Sequence, residues 1–283
     1  MATPCSVEQF YMLVSFDMPQ TQRVFFVHLP RAGGTSVGAA VSEILGDDRV
    51  LRVEPGEWDE SWDVLDDFDF VHGHLEMHHL ASMKDRGWTT MLTLRDPVER
   101  LMSMYRYDRL TPFGGAEYRA IMQYPSMALP RLMAPGEFFA RENVNFTYWD
   151  NHYVRAFGGG WDPNRVMRPR DLDQAKRNLD AVDVLLVTED LDATWGQVAE
   201  SLWGRPSKMP LLNDSVTLFG EGAVPWTDDE RLELRSSIAE TQGLDYLLLD
   251  WAKDRLAATS AFLKTTRVVA NWSPRNESTV EVE

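Results

Sequence analysis

The stretch that most constrains this chain is Arg23 to Ser42, RVFFVHLPRAGGTSVGAAVS. Val24, Phe25, Phe26 and Val27 form a short continuous apolar run, the pattern of a parallel strand covered on both faces. Pro30 has no N–H to donate and ends the ladder. Gly33 and Gly34 remove Cβ atoms where the backbone must turn sharply or approach a ligand. Thr35 and Ser36 then open a helix whose apolar residues are Val37, Ala40, Val41, Ile44 and Leu45, one stripe at i, i+3, i+4, i+7, i+8. A strand, a glycine loop and a helix N-terminus in this order bring loop N–H groups and the positive helix end to one point. Such a point binds an anion, most often phosphate.

Further strand and helix signals follow the same alternation. Phe68, Phe70 and His72 alternate with Asp69 and Val71 in FDFVHGHL, Thr89 to Leu94 read as a core strand, and VDVLLV at Val182 to Val187 reads as another. Val50, Leu51 and Val53 suggest a short strand between them. Asp96 is a good N-cap, with Pro97 at the first helical position and a buried stripe of Val98, Leu101, Met102 and Tyr105. Helices are expected over Asp171 to Leu179 and Thr188 to Leu202. Thr227 and Glu230 make a capping box, and a last amphipathic helix runs from Asp245 to Leu256. Strands alternating with helices predict an α/β chain with a P-loop-like three-layer fold: a central, mainly parallel sheet flanked by helices. Its ligand belongs outside the carboxyl ends of the strands. The expected organisation is an N-terminal lead-in over 1–22, a single domain over 23–265 and a polar tail over 266–283. Residues 108–160, broken by Pro112, Pro125, Pro130 and Pro135 and rich in Met and aromatics, read as a helical insertion over the site.

Composition narrows the partners. The formal net charge is −16, from 28 Lys+Arg against 44 Asp+Glu, which argues against nucleic acid. An anionic ligand must then be held by locally clustered Arg and backbone dipoles. Cys5 is the single cysteine, which excludes an intrachain disulfide and fits a reducing compartment. With no signal-peptide pattern and no apolar run approaching the ~20 residues of a membrane span, a cytoplasmic location is expected.

The chemistry-bearing residues cluster after strands. Arg31 lies on the strand side of the glycine loop, which therefore differs from the GxxxxGK[ST] loop of nucleotide triphosphatases. Arg95 leaves the end of the Thr89–Leu94 strand, and Ser103 lies on the next helix, so the two can converge on a second anion. His72 and His74 would share a face if extension continues through Gly73. A neutral imidazole there can take the proton of an acceptor hydroxyl. His78 and His79 raise a metal alternative, but HxHxxxHH fits no usual zinc spacing, and no metal is expected.

HLPRAGGTS, the HGH of residues 72–74 and LRDPVERLMSMY resemble, in order, three elements of sulfotransferases that use 3′-phosphoadenosine 5′-phosphosulfate (PAPS). The closest branch is that of the heparan sulfate 2-O-sulfotransferases and many bacterial relatives (sulfotransferase family 2). The departure is Arg31, where members of that branch carry Lys in HxPKTGGTS. The resemblance implies that Arg31, Ala32, Gly33, Gly34, Thr35 and Ser36 hold the 5′-phosphosulfate and that Arg95 and Ser103 hold the 3′-phosphate. It also implies that His74 is the catalytic base with His72 in support, and that 3′-phosphoadenosine 5′-phosphate (PAP) leaves without a metal. WDNHYVRAFGG resembles the family's DNxxTRxLxG segment, so Asp150, Asn151 and Arg155 are candidates to orient donor or acceptor. Asn271 and Arg275 match a C-terminal Asn-x-x-x-Arg stretch of the family. The expected acceptor is a small or lipid-like, neutral molecule with a hydroxyl, such as a natural product, polyketide or sugar. Two other readings stay open on sequence alone: a divergent P-loop kinase or NTPase, and a non-catalytic PAP-binding protein.

Overall fold

The computed structural model describes residues 22–53, 63–111, 125–140, 150–158, 165–210, 212 and 227–265. Five strands, β1 (Val24–His28), β2 (Val50–Val53), β3 (Phe70–Gly73), β4 (Thr89–Leu94) and β5 (Val184–Val187), make one sheet in the order β2-β3-β1-β4-β5. Every pairing is parallel, with Val27 opposite both Gly73 and Leu92. Every residue of β1, β3, β4 and β5 is buried, which is why VFFV in β1 and VLLV in β5 read as unbroken apolar runs, while β4 buries three Thr and β3 buries His72. The described helices are α1 (Gly34–Leu45), α2 (Met77–Asp85), α3 (Pro97–Leu110), α4 (Pro125–Leu132), α5 (Pro135–Phe138), α6 (His152–Gly158), α7 (Pro169–Asp180), α8 (Leu191–Trp203), α9 (Asp228–Thr241) and α10 (Gly243–Thr265). The parallel sheet between two helical layers matches the expected fold class.

Alternate strand residues face the two layers. Phe25, Val27, Val71, Leu92 and Leu185 pack with Leu80 and Met83 of α2, Tyr153 and Phe157 of α6, Leu172 of α7 and Leu248 of α10. Val24, Phe26, Phe70, Met91 and Leu186 pack with Val37, Val41 and Ile44 of α1 and Trp195 and Leu202 of α8. A third cluster joins Leu101, Met102 and Tyr105 of α3 to Phe138, Phe139 and, from α9, Leu234 and Ile238.

Local signals set the helix ends. The Asp96 carboxylate accepts from the Val98 and Glu99 N–H groups at 2.9 and 3.1 Å, and Pro97 opens α3 as expected. Thr227 and Glu230 form the expected capping box on α9. Helices α6 and α10 cap each other. Asn151 Oδ1 accepts from the Leu244 and Asp245 N–H groups, and the Asp245 carboxylate accepts from those of Tyr153 and Val154. The expected helices Asp171–Leu179, Thr188–Leu202 and Asp245–Leu256 run instead over Pro169–Asp180, Leu191–Trp203 and Gly243–Thr265, and two further starts differ for a local reason. Helix α1 begins at Gly34 rather than Thr35, because Gly33 in the left-handed region supplies its N-cap. Strand β5 begins at Val184, because the Asp183 side chain turns to pair with Lys84 and Thr90. Among the described residues no helix is long and apolar enough to cross a membrane.

The sheet order sets the site. From β1 the chain passes through α1 to β2 on one side, whereas from β4 it leads on to β5 on the other. The loops after β1 and β4 therefore flank a crevice at the point where the direction of winding reverses, the usual ligand position in such sheets.

Candidate active site

The loop after β1 folds tightly over the strand end. The Ala32 N–H donates to the Leu29 carbonyl at 3.2 Å, and Arg31 and Gly33 take φ angles of 68° and 83°. Positive φ costs a residue that carries a Cβ, so Arg31 must be held by its surroundings. Its Nε donates to Ser103 Oγ at 3.0 Å, and its guanidinium lies 4.9 Å from the centre of the Tyr107 ring. Its carbonyl accepts from Arg95 Nη1 at 3.0 Å. Residues Ser103 and Tyr107, one turn apart on α3, thus make a rail for the Arg31 side chain. The Thr188 hydroxyl, after β5, lies within hydrogen-bond reach of the Ala32 and Leu94 carbonyls and ties the loop to the neighbouring strands.

Arg95 is placed from the other side of the crevice. Its N–H donates to the Tyr153 hydroxyl at 2.9 Å, and its Nε lies 3.8 Å from Glu189. Burial and the neighbouring Arg95 both lower the Arg31 value from that of an ordinary guanidinium, although an Arg side chain stays charged at neutral pH. The two like charges repel, and an anion that reaches both relieves the repulsion. Helix α1 points its first turn into the same region with no side-chain cap and no acidic residue there. Thr35 is exposed at this end, whereas Ser36 is buried, its hydroxyl bridging the N–H and carbonyl of Leu212.

Beside the loop lies a group of three histidines. His72, on β3, and His28, at the end of β1, are buried, while His74 just beyond β3 is exposed. His28 sits between the other two, with ring centres 4.8 Å from His74 and 5.7 Å from His72. Helix α1 makes room for these rings with two glycines one turn apart. A Cβ on Gly34 would fall 2.0 Å from His28 Nδ1, and one on Gly38 would fall 2.6 Å from His72 Cε1. Burial, then the positive Arg52 on β2, lowers the His72 and His74 values to about 4. Solvent contact tempers the effect at His74, which is neutral at pH 7 in either case. Burial and the two other imidazoles drive His28 well below its ordinary value.

The structure thus brings Arg31, Ala32, Gly33, Gly34, Arg95 and Ser103 to one crevice, with His72 and His74 on the adjacent strand. Asp150, Asn151 and Arg155 lie together elsewhere, at the mutually capped ends of α6 and α10. Asn151 holds Asp150 and the α10 cap, and the buried Arg155 donates to the Arg165 carbonyl and pairs with Asp150. Their link to the crevice is Tyr153. His79 Nδ1 accepts from the Glu76 N–H and His78 pairs with Glu76, so both serve the start of α2. Among the described residues no group of three or more His, Cys, Asp or Glu is placed to hold a metal ion. A groove of about 310 Å³ runs along α2 to α6 and α7, on the sheet face opposite the histidines. Residues 112–124, 141–149 and 159–160 of the aromatic insertion, and Asn271 and Arg275, lie outside the described residues.

Sequence reasoning passed over His28, Tyr107, Asp108 and Glu189. A signal existed for two of them: His28 directly ends the strand before the loop, and Tyr107 is one helical turn beyond Ser103. Glu189 follows the fifth strand, and nothing local relates it to Arg95.

No family model and no curated protein matches the chain. Among solved structures it is similar to the mouse sulfotransferase SULT7A1 complexed with PAP, at 15% identity and a TM-score of 0.36, over 80% of this chain and 66% of that one. A likeness that loose assigns nothing by itself, and the site must carry the reading.

Proposed function

We propose that the protein transfers a sulfuryl group from PAPS to an acceptor hydroxyl. The observation that supports this most directly is the convergence of Arg31, Arg95 and Ser103 on the β1/β4 crevice, beside histidines held neutral. In this reading the loop N–H groups, Arg31 and Thr35 bind the 5′-phosphosulfate, and Arg95 with Ser103 binds the 3′-phosphate. Ser36, occupied with Leu212, shapes the loop and offers its backbone N–H. The neutral His74 accepts the hydroxyl proton as the acceptor oxygen forms its bond to sulfur. The bond from sulfur to the bridging phosphate oxygen breaks, and PAP leaves with the electron pair. Arg31 donates where negative charge develops on that oxygen. His28 packs on the His74 ring and is itself backed by His72. An anionic donor nearby favours the imidazolium that forms, opposing Arg52.

The acceptor in this reading is small and uncharged, because a sulfated polymer would approach against the field of a chain with net charge −16. The experiment is a thermal-shift assay followed by turnover. PAP, binding only the folded state, raises Tm, and ADP, which lacks the 3′-phosphate, raises it much less. Radiolabelled PAPS with a panel of small alcohols, phenols and sugars then yields labelled product without added Mg²⁺. Equal shifts with PAP and ADP, or turnover that requires ATP and Mg²⁺, would overturn the assignment in favour of a nucleotide kinase or hydrolase.

A further inference from the structure

Asp108 is an ionisable residue behind the crevice with no role in the scheme above. It lies on α3 directly after Tyr107, the ring on which Arg31 rests, and it is fully buried. Among the described residues neither of its carboxylate oxygens has a hydrogen-bond partner. A buried carboxylate without a donor is costly, and it persists only where nearby charge or a bound proton compensates it. Two cations act on it: Arg31 from the β1–α1 loop and Arg131 from α4. Arg131 donates to the Thr111 carbonyl at the end of α3, which keeps it beside this helix.

We propose that Asp108, when ionised, is a positioning residue that balances Arg31, and that anion binding at Arg31 is coupled to uptake of a proton by Asp108. The inference rests on the donor reading above. Its logic is a competition for one guanidinium. When phosphate or sulfate oxygens engage Arg31 and Arg95, they add negative potential at Asp108 and cancel the attraction that favoured its ionised form. Protonation removes the conflict, so the bound protein holds more protons than the free protein.

The other groups around α3 leave this window clear. Burial pushes the Asp108 carboxyl up to about 8, with Arg31 and Arg131 pulling it down. Tyr105 on the same helix is raised from an ordinary phenol and titrates higher. Arg106 and Arg109 on α3 remain cations, as do Arg231 and Arg235 on α9, which pair with Glu99 and Asp96 at the other end of the helix. Glu230 on α9 is lowered by its capping bonds to Thr227 and stays ionised. The three histidines titrate well below neutrality. The second phosphate ionisation of the ligand, near pKa ~6, is nearly complete by pH 7.

The test is calorimetric titration of the full chain with PAP at pH 7 and pH 9, each in two buffers of different ionisation enthalpy. With Asp108 titrating near about 8, linkage of one proton predicts that affinity falls about tenfold over that span. It also predicts that the wild type takes up a sizeable fraction of a proton at the higher pH. Asp108→Asn, which mimics the protonated form, is expected to bind PAP equally at both pH values with no proton exchanged. The wild-type buffer dependence is informative even if the variant fails to fold. PAP binding without proton uptake in the wild type, or with the same uptake in Asp108→Asn, would overturn the coupling. Failure of PAP to bind at any pH would instead overturn the donor reading, and this inference with it.

Discussion

Gly38→Ala is the sharpest test of how α1 seats the histidines. Judged as a helix position, the change should help: Ala is favoured over Gly by about 1 kcal/mol in a helix interior. The structure predicts the opposite sign. The new methyl would lie 2.6 Å from His72 Cε1 and 3.0 Å from Nε2, about 1 Å short of an ordinary carbon–carbon contact. His72 cannot swing aside cheaply. It is 6% exposed and is packed by Phe26, Phe70 and His28, with ring centres 6.5, 5.3 and 5.7 Å away. Its strand is held between β2 and β1. Overpacking of this kind costs about 1–3 kcal/mol, so the net effect is a loss of up to about 2 kcal/mol. At roughly 2–4 °C per kcal/mol for a chain of this size, Tm falls by as much as ~8 °C. Gly196→Ala in α8 is the control, because its nearest neighbour, the Ser207 carbonyl oxygen, is 3.5 Å from the new Cβ. That variant keeps the propensity gain and should melt higher than wild type. Calorimetry and urea unfolding of both variants decide the matter. A Gly38→Ala protein as stable as the Gly196→Ala protein, with unchanged turnover, would refute the claim that α1 is cut to fit these rings.

Arg95→Ala is expected to weaken PAP much more than its 3′-dephospho analogue, and Arg31→Ala to cost about 10²-fold in kcat, the scale of losing one donor to developing charge; calorimetry and steady-state kinetics measure the two effects. His74→Ala should lose roughly 10²–10⁴-fold in turnover while retaining PAP binding. Because the base must be neutral and its value is lowered from 6.5 by burial and Arg52, the acid limb of kcat/KM should lie below pH 6.5, and Arg52→Ala should move that limb upward. Asn151→Ala should lower stability by ~1–2 kcal/mol through the lost α10 cap; a fall in PAP affinity without a fall in Tm would return Asn151 to the donor site.

Much of this was legible because the signals were local. The apolar stripe of α1 names the residues that become buried, and Asp96 with Pro97 names the start of α3. Arg31, Arg95 and the histidines could be singled out because each follows a short apolar run. The sequence could not show that Arg31 and Ser103 touch. They are 72 residues apart, and their meeting depends on β1 lying beside β4, which is a property of sheet order rather than of either segment. For the same reason the two expected anion subsites meet through a direct bond between their side chains. Gly38 was opaque in another way: in a helix it reads as a weak position, and only the ring of His72 explains it. Asn151 read as a binding residue because its neighbours resembled a family segment, and nothing in those neighbours reveals an α10 that starts 92 positions later.

The acidic surface and the crevice pose a single electrostatic problem. A chain of net charge −16 disfavours any polyanion at long range, yet the crevice gathers Arg31 and Arg95 within direct contact of each other. Solvent and salt screen the surface charges, with a Debye length of about 8 Å at physiological ionic strength, so the distant carboxylates weigh little on a ligand already seated. The buried charges are screened far less. What an anion meets at close range is therefore the guanidinium pair, the dipole of α1 and the two carboxylates behind them, Asp108 and Glu189. Burial raises both of these carboxyl groups from their ordinary values. A carboxylate that accepts a proton readily can compensate Arg31 at one moment and stop opposing the ligand at the next. A permanently ionised partner would keep competing with the ligand, and a permanently neutral one would never offset the two half-buried guanidinium groups. Asp108 and Glu189 thus give up their charge more readily than ordinary carboxylates do.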